Sequence, residues 1–98
     1  MLVRHHDKVL QRLEADATFQ AGHGTDVVKA FRKRMQFLRS CTSEQDMRGM
    51  KSLHFEKLKG KRAHQHSIRL NDQWRLILEL EGEAPNKVVV VIAIEDYH

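Results

Sequence analysis

The hydrophobic residues in the first half of the chain recur every three or four positions, which is the pattern of helices with one apolar face. In the first such stretch they are Val9, Leu10, Leu13 and Ala17. Asp7 stands just before this stretch, and its short acidic side chain is suited to cap a helix. The pattern predicts a first helix that begins after Asp7 and is interrupted at Gly22-His23-Gly24.

A second helix is predicted from Thr25 onward. Its apolar stripe consists of Val27, Phe31, Met35 and Leu38. The opposite side carries the basic residues Lys29, Arg32, Lys33 and Arg39. An amphipathic helix needs an apolar stripe in order to pack, so we expect the two helices to form a hairpin with a solvated basic side. Thr42 and Gln45 fit a capping box, which favours a short third helical turn over residues 43–48.

After Gly60 the hydrophobic period changes from that of a helix to the period of two that is typical of strands. Alternation over residues 68–70 and 74–80 predicts two antiparallel strands joined at Asn71-Asp72. The β-branched run from Lys87 to Glu95 predicts a central strand that is buried on both faces. Helices followed by a meander of strands indicate an α+β fold of two layers, a helical hairpin on a small, mainly antiparallel sheet.

The same alternation predicts where polar chemistry lies on the sheet. The residues expected to face the helices are Ile68, Leu70, Leu76 and Leu78. Arg69 and Arg75 have the opposite parity and therefore project from the other face. We expect both guanidinium groups to share one exposed surface.

Length and composition limit the classes of protein that remain. A chain of 98 residues is expected to form one domain over residues 1–98. The longest apolar run, residues 88–94, is far shorter than the ~20 residues that cross a bilayer as a helix. The amino terminus has no apolar segment typical of a secretory signal, so we expect a cytoplasmic protein. Cys41 is the single cysteine, which excludes an intrachain disulfide and a cysteine-based zinc cluster.

The positive charge is concentrated in the middle of the chain. The net charge of the whole sequence is +4, whereas residues 48–75 alone carry +6 and residues 76–98 carry −4. Such clustering indicates a polyanionic partner, with an ordinary solvated surface as the alternative.

The seven histidines raise the question of a metal site. His64 and His66 share one side of a strand, and His5-His6 is a second pair, but neither pair has a cysteine or a carboxylate pair beside it in the sequence. A metal-free site is a second interpretation, because arginines, lysines and the residues Asp96-Tyr97-His98 are suited to cleave RNA without a metal ion. Composition and spacing alone favour a frayed polar terminus for residues 96–98.

Three segments of the chain are similar to one known family. They are VVKAFRKRMQFLRS at 27–40, LHFEKLKGKRAHQHSIRLNDQWRLILEL at 53–80, and the closing Asp96-Tyr97-His98. From residue 28 to residue 98 the sequence resembles the HigB branch of the RelE/ParE toxin superfamily. The resemblance implies a RelE-like fold, a small curved sheet with helices packed on one side. Members of this family usually begin with a strand, for which Leu2-Val3-Arg4 is the candidate here.

The resemblance also implies a function and a set of partners. The expected function is that of the toxin of a bacterial type II toxin-antitoxin system, an endoribonuclease that cuts mRNA in the A site of the 70S ribosome without a cofactor. The expected partners are the ribosome with its mRNA and a helix-turn-helix antitoxin similar to HigA. Operator DNA is contacted only indirectly, through the antitoxin.

Carried over residue by residue, the family's pattern implies a catalytic set that consists of His54, Arg69, Arg75, Asp96, Tyr97 and His98. The residues expected to hold the RNA backbone are Lys57, Lys59, Lys61 and Arg62. His98 is expected to transfer a proton and Arg75 to stabilise the phosphorane. Tyr97 stacks on a base or assists proton transfer, and Asp96 orients an imidazole or reads a base. His54 is the candidate for the second acid or base.

Two rival functions stay open at this stage. One is a ParE-like poison of DNA gyrase, which uses the same scaffold. The other is a catalytically silent corepressor that binds the antitoxin. The terminal histidine and the paired arginines favour the nuclease. The basic side of the second helix is explained by ordinary solvation, with docking to ribosomal RNA as the alternative.

Overall fold

This computed structural model describes residues 1–96 of the chain. The strands are β1 (Leu2–His5), β2 (Glu56–Lys57), β3 (Gln65–Arg69), β4 (Trp74–Glu81) and β5 (Val88–Asp96). The helices are α1 (Lys8–Ala15), α2 (Thr25–Ser40) and α3 (Glu44–Gly49), with single 3₁₀ turns at Lys51–Leu53 and Gly60–Arg62. The predicted α+β class is confirmed.

The strands form one sheet in the order β1-β5-β4-β3-β2. β1 runs parallel to β5, and the other neighbours are antiparallel. The candidate strand at the amino terminus therefore forms, and it needs β5 as its partner. β5 lies between β1 and β4, as predicted for a central strand, and the consecutive residues Val89, Val90 and Val91 are all buried. The prediction of burial on both faces is wrong for residues 92–95, which are only half-buried because the helices cover one face of the sheet.

The first helix is shorter than its sequence pattern. Asp7 caps it as predicted, since its Oδ1 accepts a hydrogen bond of 2.8 Å from the amide of Leu10. The predictions that Ala17 and Val9 belong to its apolar face are wrong: α1 ends at Ala15, and Val9 is 52% exposed. A two-turn helix has a narrow buried face, and beyond it the Asp16 carboxylate accepts hydrogen bonds from Thr18 in a turn that replaces further helix.

The second helix buries its whole predicted stripe, but its basic side is not simply solvated. Arg32 donates hydrogen bonds to the carbonyls of Leu13, Asp16 and Phe19 at 3.0, 2.7 and 3.1 Å. Arg39 forms two hydrogen bonds of 2.7 Å with the carboxylate of Glu14. These two arginines join α1 to α2, which confirms the hairpin and corrects the prediction that they form part of a solvated face.

The third helix is capped by residues other than those predicted. α3 begins after Ser43, and the carboxylate of Asp46 accepts hydrogen bonds from the amides of Thr42 and Ser43. The prediction of a box formed by Thr42 and Gln45 is therefore wrong by one position, because Ser43 is the capping residue and Asp46 its partner.

The core lies between the helices and one face of the sheet. The sheet contributes Val3, Ile68, Leu76, Leu78, Val89 and Val91, and Leu70 joins them just after β3. The helical segments contribute Leu10, Leu13, Val27, Val28, Phe31, Met35, Leu38, Met47 and Leu53. This packing leaves the other face of β3, β4 and β5 available for polar groups. None of the helices within residues 1–96 has the length and apolar character that crossing a membrane requires.

Candidate active site

The register of the sheet aligns three charged residues across the face that is turned away from the helices. Arg69 of β3 lies opposite Arg75 of β4, and Arg75 lies opposite Glu95 of β5. Ser67 and Ile77 form the next aligned pair on the same face. The prediction that both arginines share the face opposite the core is confirmed.

The side chain of Arg75 is fixed by groups from two other segments. Its Nη2 donates a hydrogen bond of 2.7 Å to the carbonyl of His54 and one of 2.9 Å to Oγ of Ser67. Its Nε lies 3.3 Å from the same hydroxyl, and a carboxylate oxygen of Glu56 lies 3.8 Å from Nη2. Arg75 is only 6% exposed, so the prediction that its guanidinium lies on an exposed surface is wrong. The segment that follows α3 covers it.

That covering segment turns sharply at His54. The backbone of His54 has φ 49° and ψ 54°, the left-handed conformation that few residues other than glycine adopt. Leu53 is fully buried just before this turn, and the ring of Phe55 stacks on His66 just after it, with centroids 4.8 Å apart. The guanidinium of Arg48 lies 5.0 Å from the centre of the Phe55 ring. These contacts hold the turn so that the His54 carbonyl faces Arg75 while the residue itself remains exposed.

A cleft of about 190 Å³ opens beside Arg75. Its lining consists of Leu58, Arg62, Ser67, Arg75, Ile77, Glu95 and Asp96. Arg62 and Glu95 meet there through two hydrogen bonds of 2.9 and 2.8 Å, and this contact raises the pKa of Arg62. Asp96 accepts a hydrogen bond of 3.0 Å from the side chain of Gln73. The cleft therefore gathers two cations and two carboxylates at the carboxyl end of β5.

Arg69 lies beside this cleft without lining it. Its guanidinium forms an ion pair with Asp72 in the β3–β4 turn. Its carbonyl accepts a hydrogen bond of 3.0 Å from Nε of Arg34, and burial together with the charge of Arg69 lowers the pKa of Arg34. Arg69 thus contributes positive charge next to the cleft, and Asp72 partly neutralises it.

The four residues expected to hold RNA lie around the edge strand β2. Lys59 is exposed just before the 3₁₀ segment Gly60–Arg62, Lys61 is exposed within it, and Arg62 of this segment reaches the cleft. Lys57 lies opposite His66 in the register, whereas Glu56 lies opposite Ser67. The alternation therefore turns Lys57 towards the face away from Arg75.

The histidines have separate neighbours. His5 lies 2.7 Å from Glu14, His64 is 3.6 Å from Glu79, and His66 packs on Phe55. Burial is the main cause of the lowered pKa of His66. Among residues 1–96 there is no group of three or more His, Cys, Asp or Glu side chains placed to hold a metal ion.

Three residues of the site were not identified from the sequence: Ser67, Glu56 and Glu95. Alternation within β3 places Ser67 on the same face as Arg69, and this parity was the available signal for Ser67. Glu95 lies opposite Arg75 only because the register between β4 and β5 shifts after Val91, and a continuous β-branched run does not show such a shift. The contact of Arg75 with Glu56 depends on the two-residue strand β2, which has no recognisable pattern. The expected catalytic residues Tyr97 and His98 lie outside the described residues.

Comparison with known proteins identifies the family. The family model described as the RelE-like toxin of the type II toxin-antitoxin system HigB matches residues 3–98. The chain belongs to this family of HigB-like toxins. The resemblance inferred from residues 27–40, 53–80 and 96–98 is thereby confirmed.

This HigB-like toxin is also similar in structure to the YoeB/ParE toxin from Agrobacterium tumefaciens. The similarity covers 100% of both chains with a TM-score of 0.62 and a sequence identity of 16%, a level that bears on the fold alone. No curated protein sequence gives a significant match. The protein is therefore a type II toxin with a RelE-like fold, and membership of this family implies an antitoxin as its partner.

Proposed function

We propose that this HigB-like toxin is a ribosome-dependent endoribonuclease that cleaves mRNA in the A site and so inhibits translation. The observation that carries the proposal is the fixed position of Arg75 beside a cleft at the carboxyl end of β5. A guanidinium held by two segments before substrate arrives is suited to stabilise charge that develops during a reaction.

The proposed chemistry is attack of a ribose 2′-hydroxyl on the adjacent phosphate. The bond from O2′ to phosphorus forms while the bond from phosphorus to O5′ breaks, which leaves a 2′,3′-cyclic phosphate and a 5′-hydroxyl. One group must take the proton of the 2′-hydroxyl and another must give a proton to O5′. Histidine suits both steps because its ordinary pKa is about 6.5. We assign these steps to His98 and His54.

Arginines and the chain end complete the proposed catalytic set. Arg75 stabilises the negative charge of the phosphorane, and Arg69 adds positive charge beside it. Tyr97 stacks on a base or assists proton transfer, and Asp96 orients an imidazole or reads a base. The chemistry assigned to these side chains requires neither a metal ion nor an organic cofactor.

Binding of the RNA backbone is assigned to four cations around β2: Lys57, Lys59, Lys61 and Arg62. They lie in the stretch of residues 48–75 that carries a net charge of +6. Attraction to phosphates does not depend on base sequence, so these residues hold the strand and leave codon choice to the ribosome and the catalytic set.

The proposed partners follow from the same function. The ribosome presents the mRNA, so the toxin acts in the cytoplasm. The antitoxin that the family implies is assigned to the helix-turn-helix class similar to HigA. It connects the toxin to operator DNA, which the toxin itself does not contact.

A reconstituted translation reaction tests the proposal. Ribosomes are stalled on a defined mRNA and mixed with the wild-type toxin or with His98→Ala, Arg75→Ala or Arg75→Lys, and new 5′ ends are mapped at nucleotide resolution. We expect wild-type cleavage within the A-site codon, little cleavage with either alanine variant, and none without ribosomes. Arg75→Lys keeps the charge but loses the planar donor fork, so we expect weak activity.

The opposite result is equally clear. Intact mRNA in the presence of folded wild-type toxin that still arrests growth overturns the nuclease function, and a gyrase supercoiling assay then tests the ParE-like alternative. A protein that neither arrests growth nor cleaves RNA but binds its antitoxin is the silent corepressor.

A further inference from the structure

Glu95 lies in the cleft but has no role in the proposed catalytic reaction. Glu95 faces the guanidinium of Arg62 with both carboxylate oxygens, at 2.9 Å from Nη1 and 2.8 Å from Nη2. This side-by-side geometry is the one in which a guanidinium also binds two oxygens of a phosphate. Arg62 is one of the residues assigned to the RNA backbone, and in the free protein its anion-binding side is occupied.

The neighbours of Arg62 keep it in place independently of Glu95. Nε of Arg62 donates a hydrogen bond of 2.9 Å to Oε1 of Gln65. The amide group of Gln65 in turn donates a hydrogen bond of 3.0 Å to Glu79, which fixes its oxygen towards Arg62. The guanidinium is thus oriented by one contact and neutralised by another, so its partner anion can change while its position is retained.

The ion pair is also accessible to a competing anion. The side chains of Arg62 and Glu95 are 45% and 39% exposed. Ion pairs that water reaches contribute little to stability, and salt weakens them further. Replacing the carboxylate by a phosphate of a bound RNA strand therefore costs little free energy.

We propose that Glu95 occupies the phosphate position on Arg62 in the free toxin and is displaced when RNA binds, so that it limits the affinity of the toxin for RNA. The inference rests on the proposed function for the identity of the anion. Glu95 acts as an internal competitor: each binding event exchanges a carboxylate for a phosphate on the same guanidinium. Glu95 lies opposite Arg75 in the register and lines the cleft together with Arg62, so this exchange takes place within the cleft.

The exchange has a signature in the dependence on salt. When a protein binds single-stranded RNA, the logarithm of the binding constant falls linearly with the logarithm of the salt concentration. The slope is about −0.7 for each phosphate that a free cation of the protein contacts. In the wild type the carboxylate of Glu95, once displaced, attracts a salt cation from solution. This uptake offsets part of the release of cations from the RNA phosphates. Removal of its charge is expected to tighten binding at low salt and to steepen the dependence on salt.

The test measures binding without cleavage. A fluorescent single-stranded RNA with 2′-O-methyl groups at every position cannot supply a 2′-hydroxyl, and fluorescence anisotropy gives its Kd over a range of salt concentrations. The proteins are the wild type, Glu95→Gln, Arg62→Ala, the double variant of these two, and Glu81→Gln. Glu81 is the matched control because it pairs with Arg4 at 2.7 Å on the same face, and its substitution changes the net charge equally.

We expect Glu95→Gln to lower Kd by about two- to fivefold, which is within the range of an exposed ion pair, and Glu81→Gln to leave Kd near the wild-type value. In the Arg62→Ala background Glu95→Gln should have no effect. Equal tightening by the two glutamine variants, or an undiminished effect of Glu95→Gln without Arg62, would show general electrostatics and overturn the inference. Absence of RNA binding by both wild type and Glu95→Gln also overturns it.

The binding measurements, taken together with the reconstituted translation reaction, separate this inference from the proposed function. If the coupling between residues 62 and 95 is found but the toxin leaves ribosome-bound mRNA intact, the nuclease function is wrong and the exchange of anions stands. If cleavage is found without the coupling, the nuclease function stands and Glu95 is only a structural partner of Arg62.

Discussion

The carbonyl of His54 accepts a hydrogen bond of 2.7 Å from Arg75, a residue 21 positions later in the chain. This contact connects the turn after α3 to the middle of the sheet. It also places the backbone of one proposed catalytic residue against the side chain of another, and together with the hydroxyl of Ser67 it fixes Arg75. Local folding of residues 51–58 and the geometry of the cleft are therefore coupled.

The hydroxyl of Ser67 is expected to contribute to the stability of the fold. Ser67→Ala removes the acceptor of two of the Arg75 contacts inside a buried site, which should lower the free energy of unfolding by about 1–3 kcal/mol. Denaturant unfolding measures this loss. Ser40→Ala is the control, since Ser40 is an exposed helical serine and its substitution should change stability by less than about 0.5 kcal/mol. Equal effects of the two substitutions would contradict the role of Ser67.

The hydrogen bonds that Arg32 donates predict that it contributes much more to the stability of the fold than Lys33, the next cation of α2. Arg32→Ala removes the donor to one carbonyl in the last turn of α1 and to two carbonyls in the segment that follows it, and should lower the free energy of unfolding by about 2 kcal/mol. Lys33→Ala changes an exposed side chain and should cost less than about 0.5 kcal/mol. Thermal or denaturant unfolding of both variants distinguishes them. Similar losses would mean that Arg32 is an ordinary surface residue.

Stability should fall in acid because of Glu14. The hydrogen bonds from Arg39 are the main cause that lowers the pKa of Glu14 below its ordinary value of 4.5, so folding favours the ionised form. The stabilisation is fully present above the unfolded value and is lost as the pH falls through the lowered pKa of the folded state. Glu14→Gln should therefore flatten the dependence of unfolding free energy on pH below about 4.5.

A control for Glu14 is available in the β4–β5 loop. Glu83 is exposed, and Glu83→Gln should retain the acid dependence of the wild type. If the glutamine substitution of Glu83 flattens the curve as much as that of Glu14, the ion pair between α1 and α2 is not the cause.

His66 predicts a second pH dependence, at higher pH. Burial lowers its pKa below the ordinary value of 6.5, so the unfolded chain takes up a proton more readily than the folded one. Stability is thus fully present above the unfolded value and decreases as the pH falls below 6.5. His66→Phe keeps a ring on Phe55 and removes the titrating group, so it should retain its stability over this range, whereas His6→Gln should behave as the wild type. Unfolding curves at pH 7.5 and 5.5 test this, and parallel losses in all three proteins would contradict it.

The sequence was sufficient for the features that depend on local pattern. The stripe of α2 and the alternation in β3 and β4 predicted the core face and the opposite face of Arg69 and Arg75, because side-chain direction follows from the period of the element. The end of α1 was missed because it depends on the turn that Asp16 makes with Thr18. Local competition of this kind is weakly visible in hydrophobic spacing.

The alternation of residues in β4 predicted the face on which Arg75 lies but not that another segment covers it. The burial of Arg75 results from a turn contributed by residues 53–55, which are held by the stacking of Phe55 on His66 and by the buried Leu53. The pairing of Arg62 with Glu95 likewise joins residues that are 33 positions apart. Contacts between distant segments depend on how several elements fold together. The face on which a side chain lies follows from the alternation within a single strand.

The most direct measurement of the central claim removes the 2′-hydroxyl from one nucleotide of the substrate. An mRNA with a single 2′-deoxynucleotide at the position that wild-type toxin cleaves in the A site is stalled on ribosomes beside an all-ribose control, and the products of both are mapped. The proposed chemistry predicts cleavage of the control to a 2′,3′-cyclic phosphate and no cleavage at the deoxynucleotide. Cleavage at the deoxynucleotide would contradict attack by the 2′-hydroxyl, and with it the roles assigned to His98, His54 and Arg75.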